Sequence, residues 1–250
     1  MSIETYGMGE RLEIAERYAR PLSVFRHIVL LPVPTSRDAE HVTGTEILLS
    51  ETLANVCEGS VVAGYLLPAC YKKEVGKRGA HLLDLAIDEG FLARNAQLTA
   101  EGTLGYILTS DKRSITDIKF GVVGYGRIGS RLSEMLLFLG ASVRVYSTRV
   151  SLCLELVESG VDAAVMQKDG GVCDFSDIDI LINTAPCDMR GHFLSGIRDG
   201  MRVLELASGN NFDGLTGVEK LPALPERMYP ESAGRTYFSA LFDFIKGLED

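Results

Sequence analysis

The architecture of this protein turns on Lys119-Phe-Gly-Val-Val-Gly-Tyr-Gly-Arg-Ile-Gly-Ser-Arg-Leu132. Its first half is apolar and β-branched, as a buried strand is, and its second half opens an apolar-periodic segment through Leu139, as an amphipathic helix does. Between them stands the spacing Gly-x-Gly-x-x-Gly, at Gly124, Gly126 and Gly129. In a strand-to-helix turn these positions have separate duties: Gly124 permits the tight turn, Gly126 lets backbone approach a pyrophosphate, and Gly129 lets helix and strand pack closely. The helix start, with Tyr125, Arg127 and Ile128 between the glycines, offers amides and partial positive charge to the same anion. The reading is a dinucleotide-binding turn, and the bland alternative is a glycine turn that only packs a βα unit.

Downstream, strands at 119–123, 142–146, 163–166, 178–183 and 202–206 alternate with amphipathic helices, the pattern of βαβ units in a parallel sheet. Upstream the order is looser. A helix is expected over 9–20, a buried strand over 27–33, a helix over 45–56 and a strand over 60–67. A basic loop over 70–80 carries Lys72, Lys73, Lys77 and Arg78, followed by a strand over 81–86 and a helix over 95–108. The boundary falls near residue 111, and a final helix spans 231–248 behind Pro230. The predicted class is α/β, a Rossmann-type doubly wound parallel sheet with a smaller α/β lobe before it.

Which dinucleotide binds is read at the end of the second strand, where an acid normally accepts from the ribose 2′-OH. Here Tyr146-Ser-Thr-Arg149 begins 22 residues beyond Gly124, and no acid follows before Glu155. Ser147, Thr148 and Arg149 suit a 2′-phosphate, so NADP is expected over NAD. The turns Asn183-Thr184-Ala185-Pro186 and Ala207-Ser-Gly-Asn210 end strands of the same sheet and face the same crevice.

The remaining composition excludes classes. A net charge of −9 on 250 residues repels nucleic acid and anionic membrane, and no run is long and apolar enough for a membrane span. Five cysteines without a C-x-x-C pair, and an acidic start with no apolar signal core, point to reduced thiols and the cytoplasm. No metal site is expected from four scattered histidines. Cys187 reads as a packing residue, and His192, beside Phe193 and Leu194, as a surface or half-buried helix residue.

Several strings together resemble the first, dehydrogenase-like subunit of dipicolinate synthase, a family related to the D-2-hydroxyacid dehydrogenases. They are LLPVPTSRD at 30–38, NAQLTAEG at 95–102, GVVGYGRIGSRL at 121–132, YSTR at 146–149, DIDILINTAP at 177–186, LELAS at 204–208 and YPESAGRTYFSAL at 229–241. The resemblance implies a flavodoxin-like substrate lobe over 1–110, completed by the C-terminal helix 231–250, and a Rossmann domain over 111–230. It implies NADP-linked oxidation of a dihydrodipicolinate-type intermediate to dipicolinate during sporulation, in a cleft between lobes, with a flavoprotein-like second subunit. Self-association as a homo-oligomer is also expected.

Carried over residue by residue, the resemblance assigns Gly124, Gly126, Gly129 and Ser147 to Arg149 to the cofactor, with Asn183 to Pro186 beside it. Thr35, Ser36, Asn95, Thr99 and Glu101 would face the substrate. Glu101 is the candidate base for the ring proton, and Arg37 and Arg235 are candidates for pairing with substrate carboxylates. Two departures stand out. The first lobe looks shortened, with only a helix and a short link before the strand at His27, and Glu231 replaces the lysine usual in the Pro-x-x-Ala-Gly turn. LELAS and PESAG hold neither the arginine clamp nor the proton-moving histidine of 2-hydroxyacid dehydrogenases, so simple keto-acid reduction is the weaker enzyme reading. A non-catalytic nucleotide-binding subunit is the alternative from another class.

Overall fold

The computed structural model describes residues 2–24, 26–167, 173–191, 200–209 and 211–249. The chain divides into two compact units, Met1–Leu98 with Pro225–Asp250, and Thr99–Leu224. His192, Phe193, Leu194 and Asn210, singled out above, lie outside the described residues.

The first unit holds β1 (Ile3–Thr5), α1 (Glu10–Ala19), β2 (Ile28–Leu30), β3 (Val61–Gly64), α2 (Ala69–Lys77) and β4 (His81–Asp84). The four strands form one parallel sheet in the order β1-β2-β3-β4. Long α3 (Glu89–Ser110) begins in this unit and ends in the next; short α6 (Leu224–Met228) and α7 (Pro230–Lys246) lead back to the first. One sheet face, with Ile28, Leu30, Val61 and Ala63, packs on Leu12, Ala15 and Ala19 of α1 and on Tyr237 and Leu241 of α7. The other face, with Val29, Leu31 and Val62, packs on Leu49, Leu53 and Val56 and on Tyr71 and Val75 of α2.

Four expectations from the sequence do not hold in this unit. A strand, β1, does precede the helix and pairs parallel to β2, so the first lobe opens with a complete strand-helix-strand unit. Residues 45–56 form no α-helix. Leu49, Leu53 and Val56 have helical spacing and are buried, but residues 40–49 bond to one another as a small hairpin around Gly44 (φ +80°), and only Glu51–Leu53 makes a 3-10 turn. The basic loop is α2, whose buried Tyr71 and Val75 sit one helical turn apart. The long helix starts at Glu89, well before residue 95.

The second unit holds β5 (Lys119–Val123), α4 (Arg127–Phe138), β6 (Ser142–Ser147), α5 (Val150–Glu158), β7 (Asp162–Val165), β8 (Ile180–Asn183), β9 (Arg202–Glu205) and β10 (Val218–Lys220). The sheet is wholly parallel, ordered β10-β9-β8-β5-β6-β7. The strand order reverses at β5, the doubly wound arrangement expected from the sequence. Phe120, Val122, Val145, Ile180 and Ile182 bury one face under Leu132 and Leu136 of α4 and Leu156 of α5. Val123, Tyr146, Leu181 and Val203 pack on Phe175 and Met189 from the other face. The short edge strand β10 was not anticipated; the Arg202–Glu219 ion pair, 2.9 Å, clips it to β9.

Candidate dinucleotide site

Register brings the carboxyl ends of four strands into one row, since Val123 lies opposite both Tyr146 and Asn183, and Asn183 opposite Glu205. The glycine turn leaves the central strand of that row. Gly124 has φ +89°, and a Cβ there would stand 2.9 Å from the Ala185 methyl. A Cβ on Gly129 would run into the Gly124 carbonyl. A Cβ on Gly126 would meet nothing within 4 Å, so the space above it is open to a ligand. Each glycine therefore answers a different requirement, and the open one is the second, where a pyrophosphate approaches backbone.

Hydrogen bonds hold the turn rigid. The Gly124 amide donates to the Tyr146 carbonyl at 2.8 Å, and the Thr184 hydroxyl donates to the Val123 carbonyl at 2.9 Å. No side chain caps the start of α4 and no acid stands in its first turn, which leaves its field directed outward. At the end of β6, Ser147 is buried while Thr148 and Arg149 are exposed. Arg149 donates through Nη2 to the Tyr125 carbonyl at 2.9 Å, and its amide donates to the Ser147 hydroxyl at 3.2 Å. The β6 end is thus tied to the glycine turn by the one cation expected to face a 2′-phosphate. Open backbone, uncapped helix amides and an acid-free, arginine-bearing strand end fit a nicotinamide dinucleotide.

Asn183 is fully buried; its amide nitrogen donates to Glu205 at 3.1 Å and its oxygen accepts from the Ala185 amide at 3.2 Å. Glu205 was missed in the sequence. It is 5% exposed, also accepts from the Ala207 amide at 2.8 Å, and thereby holds the turns after β8 and β9 together. Burial pushes its carboxyl above the ordinary glutamate range, against the pull of its donors Asn183, Ala207 and Asn211. The available signal was an acid closing the apolar strand Val203-Leu-Glu205. Half-buried Cys187 has its thiol pushed up by burial, as a packing residue would.

The residues expected to face substrate have different local partners. Thr35 is buried, donating to the Pro32 carbonyl at 3.0 Å and accepting from the Tyr65 amide at 2.8 Å, so it staples the ends of β2 and β3. Ser36 donates to Asp38 at 3.1 Å, and Arg37 is exposed. Asn95 and Thr99 share a face of α3, whereas Glu101 lies about 200° round the helix from Thr99. Arg235 is exposed and bonded to Glu231 at 2.9 Å and Tyr18 at 3.0 Å. The substituted Glu231 also pairs with Arg17 at 2.8 Å, so its charge is used in binding α1 to α7. Among the described residues no cluster could hold a metal, and no helix is long and apolar enough to cross a membrane.

No family profile matches the sequence, and no curated protein matches it. Solved structures do. A dipicolinate synthase subunit from Bacillus halodurans superposes with a TM-score of 0.76 at 21% identity, over 97% of this chain and 96% of that one. The corresponding dipicolinate synthase chain from Bacillus subtilis gives 0.77 at 19% identity, over 99% and 96%. D-lactate dehydrogenase from Escherichia coli gives 0.57 at 14% identity, over 100% and 97%. The chain therefore has the Rossmann-type dehydrogenase fold, in the form shared by these two dipicolinate synthase structures.

Proposed function

We propose that the protein is an NADP-linked oxidoreductase that oxidises a dihydrodipicolinate-type dicarboxylate to dipicolinate. The observation that carries the cofactor half is the meeting, at one sheet edge, of the open Gly126 cradle with Ser147, Thr148 and Arg149 in place of an acid. The substrate half draws support from the sequence strings and from the fold shared with the two dipicolinate synthase structures along nearly their whole length. A flavoprotein-like second subunit, homo-oligomeric assembly, a cytoplasmic location and a role in sporulation belong to the same reading.

When bound, NADP supplies the acceptor for the hydride that leaves the ring, while a ring proton passes to water or a base. The product is aromatic, so the chain's contribution is mainly orientation. The amides at the start of α4 would hold the pyrophosphate. Ser147 and Arg149 would take the 2′-phosphate, Arg149 as a charge-assisted donor. The turn Asn183–Pro186, kept in shape by Glu205, would bound the cofactor on its other side.

Isothermal titration of NADP and NAD into the wild type and Arg149→Ala tests the reading. NADP should bind more tightly than NAD, and the substitution should cost NADP about 1.5–3 kcal/mol, the worth of a hydrogen bond to a charged group, while leaving NAD unchanged. Binding of neither nucleotide would remove the oxidoreductase reading; equal losses for both would remove the 2′-phosphate role of Arg149.

A further inference from the structure

At one margin of the second unit's sheet, an apolar helix flank lies beside an open strand edge. Val150, Leu154 and Val157 are 56%, 61% and 54% exposed and fall on one flank of α5. Leu152, on the opposite flank, is half-buried in the core that α5 shares with α4. The apolar flank therefore looks outward, past β7. Strand β7 ends the sheet, and no further strand pairs with it among the described residues. Just beyond it the Met166 amide donates inward to the Ser147 carbonyl at 2.9 Å, so the alternate residues Ala163 and Val165 turn their amides and carbonyls outward. The Val165 side chain is 48% exposed and shares the α5 face of the strand with Ala163.

Strand edges that stay unpaired are guarded by charge. The opposite margin, β10, is Val218-Glu-Lys220, with Glu219 held by Arg202. The β7 margin is Asp162-Ala-Ala-Val165, and its one charge stands at the start, held by Arg144 at 2.7 Å. We propose that this margin is an interface with a second copy of this chain, joined about a two-fold axis through β7 and α5. Antiparallel pairing of β7 with itself sets Ala163 opposite the other copy's Val165 and keeps the two Asp162 carboxylates at opposite ends. Antiparallel packing of α5 on itself sets Val150 beside the other copy's Val157, and Leu154 beside Leu154. One axis serves both pairs, because the Cys153 thiol donates to the Ala164 carbonyl at 3.5 Å and so fixes the middle of the helix level with the middle of the strand. The charges fit the same pairing. Helix α5 has neither an acid in its first turn nor a side-chain cap, and its last turn holds Glu155 and Glu158 with no base. That order opposes its own dipole, whereas an antiparallel copy brings Glu158 towards the other helix's N-terminal amides.

The inference deepens the homo-oligomeric part of the reading above, and rests on it, by naming the surface and the symmetry. The test is sedimentation velocity of the full chain over a range of concentrations, as wild type, Leu154→Glu, Leu154→Lys and an equimolar mixture of the two variants. The wild type should sediment as a dimer. Each variant alone sets like charges against each other at the axis and should weaken the dimer at least about 100-fold. The mixture should restore it, because only an isologous contact brings Leu154 to Leu154. Should a Leu154 variant fail to fold, Ala163→Pro decides: it removes an outward amide and no bond to β6, and should weaken the dimer at least about tenfold. A monomeric wild type would overturn this proposal and the homo-oligomeric reading together. An oligomer that survives both Leu154 substitutions, folded variants that do not recombine on mixing, or an Ala163→Pro dimer of wild-type affinity would overturn this interface and leave that reading standing.

Discussion

Both units are parallel sheets, yet their carboxyl edges are made of different material. In the second unit the open part of the edge is backbone, a glycine turn with nothing above Gly126 and the uncapped amides of α4, while Thr184, Asn183 and Glu205 staple the strand ends beside it. In the first unit the edge is filled by committed side chains. Thr35 staples two strand ends, Asp84 accepts from the Leu66 and Ala86 amides at 3.1 Å, and the Tyr237 hydroxyl reaches the carbonyls of Leu31 and Ala63 at 2.9 Å. A backbone-lined edge admits a common cofactor by shape and dipole; a side-chain-lined edge admits only what its few unspent groups select.

The crossovers differ too. From β5 to β6 to β7 the chain steps twice in one direction, and α4 and α5 pack on the same sheet face, so the two crossovers share a hand. From β1 to β2 and from β3 to β4 it also steps in one direction, but α1 and α2 lie on opposite faces. Those two crossovers have opposite hands, so one departs from the right-handed rule. What holds α1 on its face is α7, arriving from the far end of the chain and meeting it where Gly234 leaves room for Ile14.

The contrast can be broken from either side. The largest effect is expected from Gly129→Ala, whose methyl is driven into the Gly124 carbonyl and the Thr184 hydroxyl. It should destabilise the chain by about 3 kcal/mol and cost nucleotide affinity about 100-fold, seen by thermal melts and titration. Gly234→Ala should cost about 2 kcal/mol, because its methyl meets Ile14 and the Arg11 carbonyl, while nucleotide affinity stays at the wild-type value. Gly126→Ala reverses that outcome: with no protein atom in the way, the melting temperature should hold, while NADP weakens roughly tenfold, about 1.4 kcal/mol.

Glu205→Gln gives the smallest and most diagnostic effect. A carboxyl raised by burial contributes stability that is complete below the unfolded glutamate value of 4.5 and is lost as pH rises through the folded one. The wild type should therefore lose stability relative to the glutamine variant as the pH rises above 4.5, measured by denaturant unfolding at several pH values. Parallel pH profiles would show that Glu205 titrates normally in the fold.

Much of the second unit was legible because its signals are local. Val122 and Val123 need only be apolar and β-branched to read as buried strand, and three glycines at fixed spacing need only the turn that contains them. The first unit was harder for a physical reason visible in particular residues. Ile3-Glu-Thr5 is too short and too polar to read as a strand, and becomes one by pairing with Ile28, Val29 and Leu30. Leu49, Leu53 and Val56 have helical spacing, but periodicity reports burial and the hairpin ahead of them decides the backbone.

The parallel second sheet, its glycine turn and the acid-free end of β6 were thus written in the order of residues, since each depends on neighbours a few positions away. That Glu205 holds Asn183, that Arg235 is taken by Glu231, and that Arg11 is buried with its Nε unpartnered became visible only once the chain was folded. Pairing and burial of charge depend on residues tens to hundreds of positions apart, and no local pattern records which partners will meet.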